Sequence, residues 1–170
     1  MPEDYSESRR KFIGYAIVGT AGALGLGYAV PLADYLVGTS LKKDAETWSK
    51  AGSIAELKVN EPVSLTFSAV EKAGWQEKTV ERDVWAVRRP DGTVTVYSPI
   101  CPHLGCGYRW DPAANHFACP CHASVYDING KVLGGPAPRD LDTLPSKVEG
   151  GILYVTYEKF RVGIPDKVVA

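Results

Sequence analysis

All four cysteines of the chain and two of its three histidines lie in two short stretches, "CPHLGC" (Cys101–Cys106) and "CPCHASVY" (Cys119–Tyr126). Side chains of these types, crowded together, bind metals, form disulfides or do both, and each use dictates the loops around it. Four Cys₂His₂-type ligands suit zinc, but a zinc site of four ligands leaves two thiols exposed to any oxidising compartment. Two disulfides without a metal leave His103 and His122, at matching positions beside cysteines, without a purpose. An iron-sulfur cluster held by two cysteines and two histidines, with the remaining pair oxidised, accounts for all six residues.

The compartment is read from the N-terminus. From Phe12 to Ala33 no residue is charged, and a helix rising about 1.5 Å per residue over that length crosses a hydrocarbon core of roughly 30 Å. A cleaved secretory signal has a shorter apolar region and a small-x-small cut site. Here "VPLADYLVG" offers no such site, so residues 12–37 read as a retained transmembrane anchor. "SRRKFI" at Ser8–Ile13 resembles a twin-arginine export signal. Arg9, Arg10 and Lys11 hold residues 1–11 on the cytoplasmic side and place the rest outside, where disulfides persist. Gly19, Ala23 and Gly27 either form a small-residue face for a neighbouring membrane helix or simply lower the hydrophobicity of the segment.

Residues 38–50, "GTSLKKDAETWSK", are polar, lack apolar periodicity and read as a linker, able to act as a hinge, or a short surface helix. Beyond them the pattern turns to period two: "AELKV", "VSLTFSAV", "VWAVRR", "TVTVYS" and "ILYVTY" are strand candidates. Asp91-Gly92 and Asn129-Gly130 suit tight hairpin turns. Residues 51–170 therefore predict an antiparallel all-β head preceded by one N-terminal transmembrane helix, and 170 residues at 45% hydrophobic allow one such core plus an appendage. A net charge of -1 and the lack of a Lys/Arg-rich run argue against nucleic-acid binding.

C-x-H-x-G-C followed by C-P-C-H-x-S-x-Y resembles the signature of Rieske iron-sulfur proteins, and the whole chain is similar to the Rieske subunit of bacterial cytochrome bc-type quinol:cytochrome c oxidoreductases. "GGPAPRDLDTLP" at Gly134–Pro145 is similar to the proline-rich loop that covers the cluster in that family. The resemblance implies one [2Fe-2S] cluster per chain in a cluster-binding part of about residues 98–140. It assigns Cys101 and Cys119 to one iron, His103 and His122 to the other, and Cys106 with Cys121 to a disulfide. Ser124 and Tyr126 match hydroxyls that hydrogen-bond to a bridging sulfide and to a ligand sulfur, here Cys119. Leu104 matches a residue shielding the cluster at a docking face. Gly105 and Gly107 allow the tight first loop, and Pro136 and Pro138 stiffen the covering loop. His116 reads as a surface or strand histidine, and Trp48, Trp75, Trp85 and Trp110 as packing residues.

The function so implied is electron transfer within a membrane complex. His122 accepts a hydrogen bond and a proton from quinol bound at a cytochrome b subunit, and the electron passes to a c-type cytochrome. The chain is then one component of an oxidoreductase and not catalytic alone, a single-pass protein in contact with membrane lipid, with its head on the outer face of a dimeric complex. The alternative is the Rieske subunit of a molybdenum oxidoreductase such as arsenite oxidase, which needs neither hinge nor quinol-facing histidine. Soluble Rieske ferredoxins and ring-hydroxylating oxygenases generally lack the two additional cysteines.

Overall fold

The computed structural model describes residues 3–38, 47–73 and 76–170, divided into two units, Met1–Ala45 and Glu46–Ala170. Residues 39–46 of the expected hinge, and Trp75, lie outside the described residues.

The first unit contains helix α1 (Glu3–Ala33), which ends in a π-type turn at Asp34–Gly38. Among the described residues it is the one helix long and apolar enough to cross a membrane. Its large side chains from Phe12 to Leu32 are exposed, as a lipid-facing surface requires. Inside the apolar run the Thr20 hydroxyl donates to the Ala16 carbonyl at 2.7 Å, so its polar atom needs no water. At the charged end Glu7 and Lys11 pair at 2.9 Å.

Among the described residues, the head contains ten antiparallel strands in three small sheets. Strands β1 (Ser49–Ser53), β10 (Ile152–Val155) and β9 (Ser146–Glu149) form one. A second contains β2 (Val63–Ala73), β3 (Gln76–Arg88) and β4 (Val94–Tyr97). The third contains β5 (Arg109–Asp111), β6 (His116–Ala118), β7 (Val125–Tyr126) and β8 (Val132–Gly134).

The second sheet divides two cores. Successive side chains of a strand point to opposite faces, and β3 uses both: Val84 and Ala86 pack with Phe67, Leu57, Leu153 and Val155, while Trp85 and Val87 pack with Phe117, Tyr108 and Tyr126. Strand β4 repeats this division, with Val96 in the first core and Tyr97 in the second. "VWAVRR" shows little polar alternation because both of its faces are covered.

Both expected turns form. Gly92 adopts φ 86° and Asp91 Oδ1 accepts from the Thr93 amide at 2.9 Å. Gly130 adopts φ 78°, and a Cβ there would sit 2.7 Å from the Tyr97 ring, so this turn is also where the third sheet meets the second. Two expectations change. "AELKV" is not a strand: Ser53 Oγ accepts from the Ala55 amide at 3.3 Å and caps a 3₁₀ turn at Ile54–Glu56. Ser49 and Lys50 are not linker but pair with Val155 and Tyr154 at the edge of β10.

Candidate metal centre

Two loops leave the third sheet side by side, each closed by its own backbone. In the first, the Cys101 amide donates to the Cys106 carbonyl at 2.8 Å and the Gly105 amide to the Cys101 carbonyl at 3.1 Å. Gly105 has φ 84°, a left-handed conformation that favours glycine. Gly107 does not share this role: its φ is ordinary and a Cβ there would touch nothing. In the second loop the Cys119 amide donates to the Ser124 carbonyl at 2.9 Å, with Ala123 at φ 57°.

The six cysteines and histidines sort themselves by position. Cys106 and Cys121 are joined as a disulfide with Cα atoms 6.6 Å apart, which ties one loop to the other. Cys101 and Cys119 keep free thiols and are buried. His103 is half-buried and His122 exposed, and their rings stand perpendicular with centroids 4.8 Å apart. Two sulfurs thus lie inside and two imidazoles towards solvent. Burial, foremost, pushes the Cys119 thiol up from its ordinary value; a bound metal replaces that proton and removes the penalty.

The surroundings fit an iron-sulfur cluster. Ser124 is fully buried, yet its Oγ makes no hydrogen bond. An orphaned buried hydroxyl costs about 1–3 kcal/mol, and a sulfide acceptor satisfies it. Tyr126 is likewise buried, with its hydroxyl 3.1 Å from Cys101 Sγ. This corrects the expected partner, Cys119. Pairing of Tyr126 with Phe117 across β6 and β7 puts the ring in the core that Cys101 and Cys119 share, where its hydroxyl meets the cysteine of the first loop. Burial, then the contact with Cys101, pushes the Tyr126 phenol far above its usual range, so it stays protonated.

Leu104 is 59% exposed at the first loop, and Leu133 of β8, not singled out in the sequence, is 62% exposed. Pro136 and Pro138 lie in the covering loop and are exposed. The residue of that loop with the strongest constraint is Gly135: φ is +90°, and a Cβ would come 2.5 Å from both the Ala123 carbonyl oxygen and Ser124 Cα. The doubled glycine ahead of Pro136 was its one sequence signal. His116 pairs with Asp111 in the sheet. Trp85 and Trp110 pack edge-on against Phe117 at 5.5 and 4.8 Å, and Trp48 lies 4.6 Å beneath the Lys147 ammonium.

A family model described as "Rieske [2Fe-2S] domain" matches residues 47–145. The menaquinol:cytochrome c reductase iron-sulfur subunit of Geobacillus thermodenitrificans is 31% identical over 158 residues, covering 91% of this chain and 94% of that one. The protein of the same name in Bacillus subtilis (strain 168) is 33% identical over 153 residues, covering 87% and 90%. A cytochrome b6-f complex iron-sulfur subunit of a Synechococcus strain is 32% identical over 150 residues, covering 84% and 83%.

Proposed function

Because the chain belongs to the Rieske [2Fe-2S] family, we propose that it is the electron-transfer subunit of a bacterial cytochrome bc-type complex, taking an electron and a proton from a quinol and passing the electron to a c-type cytochrome. The observation that carries this reading is the side-by-side placement of two buried free thiols and two outward imidazoles, clamped by a disulfide. Cys101, Cys119, His103 and His122 hold the cluster, which when bound supplies a one-electron acceptor of raised potential. The exposed imidazole of His122 accepts the hydrogen bond of the quinol hydroxyl and then its proton. Ser124 and Tyr126 donate to sulfur and withdraw electron density from it. Leu104, exposed beside the histidines, excludes water where a cytochrome b subunit docks.

Helix α1 anchors the chain in lipid, with Arg9, Arg10 and Lys11 inside and the head on the outer face. The complex is a dimer that also contains cytochrome b and a c-type cytochrome. Menaquinol is the quinol named for the Geobacillus and Bacillus relatives. The molybdenum-enzyme alternative is not favoured, since these relatives match over nearly their whole length and are named as subunits of quinol-oxidising or b6-f complexes.

The test is to purify the tagged full chain from membranes. Co-purifying b and c haems with quinol:cytochrome c reductase activity are expected, together with loss of that activity in His122→Ala. A molybdenum cofactor in place of haems would overturn the reading.

A further inference from the structure

Away from the ligand loops, one buried side chain joins the covering loop to the C-terminal segment of the head. Arg139, in the covering loop, grips both carboxylate oxygens of Asp142, from Nε at 2.9 Å and from Nη2 at 2.8 Å. The two side chains are only 8% and 4% exposed. The same guanidinium donates through Nη1 to the Ile164 carbonyl and through Nη2 to the Arg161 carbonyl at 2.7 Å.

The segment it holds, Lys159–Ala170, closes on itself. The Arg161 amide donates to the Val168 carbonyl at 2.9 Å and the Ala170 amide to the Lys159 carbonyl at 2.8 Å. Lys167 Nζ fastens it from the other side, donating to the Thr143 carbonyl at 2.7 Å and to Thr143 Oγ1 at 3.1 Å. At its tip Gly163, with φ +76°, donates its amide to the Pro102 carbonyl at 2.8 Å, and a Cβ there would stand 3.5 Å from the His103 carbonyl. Pro102 and His103 come directly after Cys101. The first loop's own bonds, Cys101 to Cys106 and Gly105 to Cys101, do not engage the Pro102 carbonyl; the C-terminal segment does.

We propose that Arg139 is a positioning residue for the metal centre: by latching Lys159–Ala170 it fixes the Pro102–His103 backbone, and with it the direction in which His103 presents its imidazole. A guanidinium suits this task because one planar fork serves a carboxylate and two carbonyls together, which an ammonium cannot do. The proposal rests on His103 being a ligand. Iron content and spectrum of His103→Ala test that assignment separately, whereas amide exchange tests the latch.

The experiment uses the full chain, cluster-loaded, in detergent. Arg139→Gln combined with Asp142→Asn removes the fork without leaving a lone buried charge. Iron should be retained, exchange of the Gly163 and Gly105 amides should quicken by about tenfold or more, and the midpoint potential and electron paramagnetic resonance signature should shift. Arg139→Lys should behave like the double variant rather than the wild type. Wild-type exchange, potential and resonance alongside a lowered melting temperature would reduce Arg139 to a structural role and overturn the proposal. A shift in Arg139→Gln alone that Asp142→Asn reverses would assign the effect to charge and overturn it too. Should the double variant fail to accumulate, Lys167→Met loosens the same segment from outside and should give the same shifts in smaller measure; wild-type values there would reject the latch.

Discussion

The Tyr126 hydroxyl lies 3.1 Å from Cys101 Sγ, linking strand β7 to the opposite ligand loop. With a metal on the sulfur, the hydroxyl can only donate, and donation lowers the electron density that sulfur offers iron. Tyr126→Phe should therefore lower the midpoint potential by an amount on the order of tens of millivolts while iron content stays at the wild-type level. Ser124→Ala should act in the same direction. Because burial, foremost, raises the Tyr126 phenol, its contribution should persist at pH values where an exposed tyrosine ionises. Potentials of both variants equal to wild type would refute the placement of the two hydroxyls against sulfur.

Gly135→Ala should be the most damaging small substitution in the covering loop. A left-handed φ of +90° costs an alanine roughly 1–3 kcal/mol, and its Cβ would overlap backbone atoms of Ala123 and Ser124 at 2.5 Å, which cannot rotate away as a side chain can. Iron content and melting temperature should both fall. Gly134→Ala is the control, since a Cβ there meets nothing within 4 Å, and should stay near wild type. Equal behaviour of the two variants would rule out the close packing of this loop on the second ligand loop.

What the sequence revealed followed the range over which each signal acts. β2, β3, β4 and β10 show through Val, Thr, Ile and Tyr alternation because each has a patterned run, and the two glycine turns show because the dipeptide itself dictates φ. β1, "SKAGS", carries no apolar alternation; it is a strand because β10 offers an edge, and it takes Ser49 and Ala51 into burial. β5 to β8 have two to three residues each, too few for any period to register. The clustering of four cysteines and two histidines shows in the motifs themselves, and the division into ligands and bridge comes from the resemblance to the Rieske signature. Tyr126's partner was not, because the pairing of β6 with β7 decides where its ring goes. Gly135 and Arg139 matter through neighbours far along the chain, the Ser124 backbone and the Arg161 and Ile164 carbonyls; the doubled glycine ahead of Pro136 is the one local sign of the first, and nothing local announces the second.

Glu71 gives the head a modest acid sensitivity. Arg82 Nε donates to it at 3.0 Å and Lys159 Nζ at 3.4 Å, joining the β2–β3 hairpin to the C-terminal segment. The Arg82 hydrogen bond, foremost, holds its carboxyl below the usual range. A depressed folded value means the stabilisation is present above the unfolded value, 4.5, and is lost as pH falls through the folded one. Glu71→Gln should cost about 0.2–1 kcal/mol at neutral pH, with solvent screening included, and less near pH 2. The check is the denaturant midpoint of wild type and variant at both pH values, and an equal difference at the two would contradict the ion pairs.

The disulfide divides the four cysteines into a bridged pair and a pair of buried free thiols. Cys106 and Cys121 are separated by 15 positions, and closing a loop of that size stabilises by about 3 kcal/mol on the chain-entropy account. The bond spans the two loops that carry the proposed ligands, and Cys119 Sγ lies within 4.8 Å of both bridged sulfurs, so loosening it lets that buried sulfur move. Replacing Cys106 and Cys121 together by alanine should leave a cluster that assembles but is lost readily on warming, whereas Cys101→Ala or Cys119→Ala should abolish assembly. Comparable iron loss from every substitution would mean four equivalent ligands and would sink the division. A thiol count provides the independent arm. Denatured without reductant and stripped of its cluster, the wild-type chain should show two free thiols, from Cys101 and Cys119, and the double alanine variant the same two; four in the wild type would show that the bridge does not form.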